Sequence, residues 1–218
     1  MDRQAFLREH APCYVYDQAM IAARCRELRE ALPDVAFLYS VKSNPFPGVL
    51  REIARQGFGA DAASAREVTL SLENGIAPEA IFYSAPGKTD ADIAGSVGSC
   101  VITADSLLEI RRLDRAAKAR GEVLGIGLRV NPDFSMEGPA GGASKFGVDV
   151  ERMPELAALL RECGNVRLRG LHLHIRSQVL EERLLGRYYR NCLRLAERGV
   201  AAGVAAFLFV LLFPVNIM

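Results

Sequence analysis

The stretch VAFLYSVKSNPFPGVLREIARQGFGADAASAREVTLSLEN, residues 35–74, contains two copies of the structural unit that continues along the chain. Each copy begins with a short strand-forming run and continues into a longer helical stretch. In the second copy Ser64 stands three residues before Glu67, which is the spacing of a helix capping box. The stretch therefore predicts two βα units, with strands at 35–39 and 57–61 and helices at 47–56 and 64–74.

The same alternation extends to both sides of this stretch. Further strands are predicted at 80–84, 100–103, 123–130, 166–175 and 207–213. Further helices are predicted at 17–32, 89–97, 106–120, 151–163 and 180–198. Seven strands that alternate with helices are typical of a parallel sheet built from βα units.

Two α/β architectures fit this pattern, an open doubly wound sheet and a closed (β/α)8 barrel. No G-x-G-x-x-G motif follows the first predicted strand, so the dinucleotide-binding form of the open sheet lacks its signature. We therefore predict a (β/α)8 barrel of the TIM type. It would be incomplete at its C-terminal end, because seven strands leave it one short.

Composition limits the classes of partner. The chain has 218 residues, of which 50% are hydrophobic, and a formal net charge of +1. This fits one domain with a sizeable core that binds a small molecule, and it offers no basic surface for nucleic acid. The five cysteines are scattered, with no C-x-x-C, which predicts reduced thiols, no metal site and a cytoplasmic location.

The last twenty residues, 199–218, carry no charge, and 207–213 (FLFVLLF) is continuously apolar. A membrane-spanning helix needs about 20 predominantly apolar residues, and Pro214 interrupts this segment before it reaches that length. Short apolar runs are typical of buried strands in parallel sheets. We expect a strand here, and no membrane anchor.

Polar side chains gather where the predicted strands end, which is where a barrel places its chemistry. They are Lys42 after the first strand, Asp61 at the end of the second, Arg129 and Asn131 at the fifth, and His172, His174, Arg176 and Ser177 at the sixth. The strand period of two places both histidines on one side of their strand. Such a set suits an anionic ligand that contains a ring.

Each of these residues also has a structural interpretation. Lys42 could be a solvated lysine beyond a strand, although a partly desolvated lysine at a barrel mouth suits Schiff-base chemistry. Asp61 could be the N-cap of the following helix. The two histidines could be hydrogen-bonded core residues. The residues alone leave these alternatives open.

Five segments taken together resemble one known family. They are YSVKSNP (39–45), GFGADAASAREV (57–68), LRVNPD (128–133), SKFGVD (144–149) and GLHLHIRSQ (170–178). In this order and spacing they are similar to the ornithine/diaminopimelate/arginine decarboxylases, which depend on pyridoxal 5′-phosphate and share a barrel with alanine racemase. The resemblance covers about residues 12–198 of a single domain, 1–218, and leaves 199–218 as a divergent tail.

The resemblance implies roles for particular residues. Lys42 matches the catalytic lysine that forms a Schiff base with pyridoxal phosphate, and His174 matches the histidine that stacks on the cofactor ring. Ser177 matches a serine that hydrogen-bonds the phosphate. Asp61, Glu67 and Arg129 match other polar residues of the cofactor site. No metal is implied.

The chain also departs from the family pattern. Arg176 stands where the family commonly has glycine, and the loop 131–145 lacks the threonine-histidine motif of diaminopimelate decarboxylases, which argues against diaminopimelate as substrate. After residue 198 the family would continue with a phosphate-binding glycine triplet, an eighth strand and a C-terminal β domain that completes the partner subunit's site. We expect a chain without these parts to be a poor decarboxylase.

The resemblance implies a carboxy-lyase of lysine or polyamine biosynthesis, acting on diaminopimelate, ornithine, arginine or carboxynorspermidine. A full-length member would be a homodimer. Three alternatives remain open: a barrel that binds the cofactor without turnover, a non-catalytic regulator, and an amino-acid racemase.

Overall fold

The computed structural model describes residues 3–138, 140–142, 144–176, 179–201 and 207–210. Within this part of the chain, parallel strands alternate with helices. The strands are β1 (Leu38–Ser40), β2 (Gly59–Ala62), β3 (Ile81–Tyr83), β4 (Val101–Ala104), β5 (Leu124–Asn131), β6 (Val148–Asp149), β7 (Val166–Leu173) and β8 (Phe207–Val210). The helices are α1 (Arg3–His10), α2 (Gln18–Ala31), α3 (Pro47–Arg55), α4 (Ala65–Glu73), α5 (Asp90–Ser96), α6 (Leu107–Arg120), α7 (Met153–Glu162) and α8 (Glu182–Ala201).

The strands pair in the order β1-β2-β3-β4-β5-β7-β8, and every pairing is parallel. This order follows the chain without reversal, which is the winding of a barrel and excludes a doubly wound sheet. No pairing joins β8 to β1 within the described residues. The parallel α/β prediction is confirmed, and each of the seven predicted strands has an observed counterpart.

Two elements were absent from the sequence-based prediction. The short strand β6 pairs only with the end of β5, through Val130 and Asn131. A strand of two residues is too short to carry an alternating pattern, which explains why it was missed. The amino-terminal helix α1 was also missed.

The start of α4 is fixed by reciprocal capping. The Ser64 hydroxyl accepts a hydrogen bond from the Glu67 amide, and the Glu67 carboxylate accepts one from the Ala63 amide at 2.7 Å. These bonds satisfy amides that have no partner within the helix. The cap is therefore Ser64, so the alternative in which Asp61 caps this helix is wrong.

The start of α6 repeats this arrangement. The Ser106 hydroxyl accepts from the Glu109 amide at 3.1 Å, and the Glu109 carboxylate accepts from the Asp105 amide at 3.1 Å. The helix ends at Gly121, whose φ of 68° is the left-handed conformation that glycine adopts without strain.

The core lies between the sheet and the helices. One cluster packs β4, β5 and β7 against α6, α7 and α8, and includes Leu128, Leu171 and Leu156, which are fully buried. A second packs β1–β3 against α3 and α4. Cys100 contacts both clusters. With the alternate residues Leu128 and Leu171 committed to the helix layer, their neighbours Arg129 and His172 face the opposite side of the sheet.

The carboxyl-terminal segment contains the predicted strand. Strand β8 pairs with β7 from Gly170 opposite Phe207 to Leu173 opposite Val210. Residues 211–213 of the predicted strand lie outside the described residues. Within the described part of the chain, no helix has both the length and the apolar character needed to cross a bilayer.

The cap of α6 gives a stability prediction. Replacing Ser106 with alanine should lower the free energy of unfolding by about 1 kcal/mol, because the Glu109 amide loses its acceptor. Ser106→Gly is the matched control, and it should cost only a few tenths of a kcal/mol, because glycine is tolerated at N-caps. Urea denaturation of both variants measures the difference, and equal losses would contradict the capping role.

Candidate active site

The polar residues predicted at the strand ends lie along one edge of the sheet, since all strands are parallel. That edge carries Lys42 after β1, Asp61 in β2, Arg129 and Asn131 in β5, His172 in β7, and His174 and Arg176 directly after β7. Ser177 lies outside the described residues.

Asp61 is the buried carboxylate of this edge, with 4% of its surface exposed. It is opposite Ser40 in the β1–β2 register, and its two oxygens accept hydrogen bonds from the hydroxyls of Ser40 and Ser84. Burial raises the pKa of Asp61, while the Ser84 hydrogen bond and the positive charge of Lys42 act in the opposite direction. Lys42, in the turn Val41–Ser43, is solvent-exposed and within electrostatic range of Asp61.

Arg129 is the cation on β5, with 12% of its side chain exposed. Its guanidinium is 3.8 Å from Asp105 Oδ1 and 4.8 Å from the ring centre of Phe146. Desolvation lowers the pKa of Arg129, and the charges of Asp105 and Asp61 oppose that shift. The pKa of Asp105 is raised by burial, although it accepts a hydrogen bond from the Gly147 amide.

His172 is buried beside Arg129, which is its partner in the β5–β7 register. Burial, together with the positive charges of Arg129, His174 and Lys88, lowers the pKa of His172 to about 3. The imidazole is therefore neutral at physiological pH. Neither of its ring nitrogens has a hydrogen-bond partner among the described residues. His174 follows the end of β7 and is half-buried.

Pairwise electrostatic interactions thus connect five of the predicted residues. Lys42 acts electrostatically on Asp61, Asp61 on Arg129, and Arg129 and His174 on His172. Glu67 combines its capping role with a negative charge that raises the pKa of Asp61.

Two predicted residues lie at the rim of this edge. Arg176 is half-exposed and forms an ion pair with Glu137 at 2.7 Å. The side chain of Asn131 donates to Asp149 at 2.7 Å and so holds β6 against β5. Arg187 of α8 donates a hydrogen bond from Nε to the Met136 carbonyl at 3.0 Å. This bond attaches the loop that contains Glu137 to α8.

Lys88, Glu109, Asp105 and Ser84 were not predicted as part of this edge. The side chain of Lys88 has no solvent exposure, and its Nζ lies 2.8 Å from Glu109 Oε1. It also donates to the carbonyls of Ala85 and Thr103. The sequence offered a signal for three of these residues, namely their position at strand ends. Ser84 and Lys88 follow the third strand and Asp105 follows the fourth, as Lys42 follows the first.

The chain matches the sequence model of one protein family, described as "Pyridoxal-dependent decarboxylase, pyridoxal binding domain", over residues 18–209. Among curated proteins, it is 33% identical over 177 residues to a diaminopimelate decarboxylase of Aquifex aeolicus, covering 78% of this chain and 42% of that protein. It is 31% identical over 182 residues to that of Zymomonas mobilis, covering 78% and 43%. The chain spans less than half the length of these two relatives.

Solved structures show the same fold. A crystal structure of an Aquifex aeolicus protein superposes with a TM-score of 0.82 at 29% identity, covering 94% of this chain and 50% of that one. The structure of the lysine/ornithine decarboxylase of Vibrio vulnificus, complexed with putrescine, superposes with a TM-score of 0.78 at 26% identity. The match covers 98% of this chain and 56% of that one. These likenesses confirm the predicted barrel-type fold.

The buried histidine gives a pH prediction. The pKa of His172 is about 3 in the folded protein against an ordinary 6.5, so below about pH 6.5 the unfolded chain binds a proton that the folded chain excludes. The contribution of neutral His172 to the free energy of unfolding is fully present above about pH 6.5, and it is lost as the pH falls towards 3. Relative to His172→Gln, the unchanged chain should lose up to about 1.4 kcal/mol per pH unit in this window.

Urea denaturation between pH 5 and 8 measures this difference for the two proteins. Other groups that titrate in both proteins cancel in the comparison, and between pH 7 and 8 the difference should stay constant as an internal control. A difference that is also constant from pH 7 to 5 would contradict the assignment of a neutral buried imidazole.

Proposed function

This chain belongs to the pyridoxal-dependent decarboxylase family, and we propose that it binds pyridoxal 5′-phosphate covalently through Lys42 and serves the decarboxylation of an amino acid. The observation that carries the proposal is the position of Lys42. Its side chain is open to solvent, so an aldehyde can reach it, yet its charge acts on the buried carboxylate of Asp61.

The residues of the edge fit this cofactor. Pyridoxal phosphate has an aldehyde, a flat aromatic ring and a dianionic phosphate, so its site needs an amine, a flat partner and cationic or hydroxyl donors. Lys42 supplies the amine, and the half-buried His174 offers a flat ring. Arg129 supplies a desolvated cation. The buried nitrogens of His172 have no hydrogen-bond partners among the described residues, which supports the proposal of a polar ligand in this interior.

Each residue has a proposed task. Lys42 would hold the cofactor through its aldehyde carbon. Asp61, kept in place by Ser40 and Ser84, faces the positive charge at Lys42 and orients it. Arg129 adds positive charge beside the ring, and Ser177 donates to the phosphate. When bound, pyridoxal phosphate supplies an electron-accepting ring that stabilises the electrons released as carbon dioxide leaves.

For the substrate, we propose an amino acid whose side chain ends in a charged group. Two relatives carry diaminopimelate decarboxylase as their name, and the Vibrio structure holds putrescine, a diamine. The ion pair of Arg176 and Glu137 offers both signs of charge at the rim to such a side chain. Diaminopimelate and ornithine are therefore the first two amino acids to test, followed by arginine and carboxynorspermidine.

We further propose that the protein works as a homodimer in the cytoplasm. All five cysteines are free in the structure, which suits a reducing compartment. Sedimentation of the purified chain over a range of concentrations would test the homodimer.

The proposal predicts that colour depends on Lys42. The unchanged chain, mixed with pyridoxal phosphate, should gain a visible absorbance band, and Lys42→Ala should lack it. Borohydride reduces the C=N bond to a secondary amine, so it should abolish the band and make the bond between cofactor and lysine permanent. Lys145→Ala is the matched control, since Lys145 is an exposed lysine that lies 5.1 Å from the Phe146 ring, and this variant should keep the band.

Mass spectrometry of the borohydride-reduced chain would identify the modified lysine directly. The cofactor mass on the peptide that contains Lys42 is the expected result. Its appearance on Lys88 or Lys145 instead, with full colour in Lys42→Ala, would contradict the proposal.

A further inference from the structure

Lys88 is a fully buried charged residue that the proposed reaction does not use. It follows β3, and its amine contacts only protein groups among those described: the carbonyls of Ala85 at 2.6 Å and Thr103 at 2.7 Å, Glu109 at 2.8 Å, and the face of Tyr83 at 5.1 Å. Two of these partners are carbonyls that accept hydrogen bonds from the ammonium group, and the third, Glu109, forms an ion pair with it. Its charge is thus held in a fixed position.

Glu109 connects Lys88 to Asp105, which directly follows β4. One of its oxygens is paired with Lys88, and the other accepts the amide of Asp105 at 3.1 Å. The carboxylate is 5% exposed, so it has little freedom to turn to solvent. The backbone of Asp105 is therefore fixed from both sides, by this bond and by the cap of α6 at Ser106.

Asp105 in turn faces Arg129, the cation of the proposed cofactor site. Their side chains are each 12% exposed and 3.8 Å apart. Lys88 and Arg129 carry positive charge and Glu109 and Asp105 carry negative charge, so removing any one of the four leaves the cluster with a net charge. Removing Lys88 would leave two carboxylates to share one guanidinium, which would draw Arg129 away from its position.

A purely structural role would not require lysine. Buried ion pairs are often replaced by apolar residues without loss of stability, so a buried lysine tied to carboxylates is weak evidence for stabilisation. The arrangement instead fixes orientation. Lys88 orients the carboxylate of Glu109, and Glu109 holds the backbone of Asp105. Asp105 in turn orients the guanidinium of Arg129.

We infer that Lys88 is a positioning residue that sets the guanidinium of Arg129 for cofactor binding, acting through Glu109 and Asp105. The inference rests on the proposed function in one respect, namely that Arg129 adds its charge beside the bound cofactor.

A double-mutant cycle in the 218-residue chain tests this inference, with the dissociation constant of pyridoxal phosphate measured by equilibrium dialysis. Lys88→Met should weaken binding by about tenfold, within the coupling range of residues in one network. In an Arg129→Met background the same change should weaken binding less than about twofold, because the residue through which Lys88 acts is gone. The thermal unfolding temperature should fall by similar amounts in both backgrounds.

Glu109→Gln provides a second route if Lys88→Met does not fold, because it removes one charge while keeping the size of the side chain and its hydrogen bond to Asp105. It should weaken binding in the unchanged background and leave it nearly unchanged in Arg129→Met. Lys118→Met, which removes an exposed lysine from α6, is the matched control and should leave the dissociation constant unchanged.

Equal weakening by Lys88→Met in both backgrounds would overturn the inference, as would no weakening in either. Failure of the proposed function appears elsewhere, as unchanged colour in Lys42→Ala. The two failures are thus read from different variants and different measurements.

Discussion

The arrangement of this protein depends on one electrostatic constraint, that charges enclosed at the carboxyl edge of a parallel sheet must offset one another. Among the enclosed groups, Asp61, Asp105 and Glu109 carry negative charge and Lys88 and Arg129 carry positive charge, and the exposed Lys42 adds its charge from the surface. A buried charge without a partner costs several kcal/mol, so these side chains hold each other in place. The edge is thereby organised before any ligand arrives.

Much of the fold could be predicted because the βα unit leaves a clear pattern. The helix that begins at Ala65 has the cap that the sequence indicates at Ser64, and the helices that begin at Gln18 and Leu107 are capped by Asp17 and Ser106. The strand β6 could not be predicted, because its pairing comes from the tertiary position of two residues next to β5 and not from a local pattern.

The sequence predicted which polar residues lie at the strand ends of the candidate site, but not which of them are buried. Strand ends indicated Lys42, Asp61, Arg129 and the histidines, and the structure gathers these, although their roles stay predictions. The sequence could not indicate that Lys88 is buried, since the segment PGKTD has the composition of a solvated turn. Nor could it separate His172, enclosed in the strand, from His174 beyond its end, because burial depends on the neighbouring strands and helices.

The sheet order has a consequence for how the charged edge is assembled during synthesis. Four contacts of this edge join residues one βα unit apart along the chain: Ser40 with Asp61, Asp61 with Ser84, Lys88 with Glu109, and Asp105 with Arg129. A ribosome releases the chain from its amino end, so in each of these pairs the second partner is synthesised one unit after the first. The sequence distance between the partners is therefore set by the length of one βα unit.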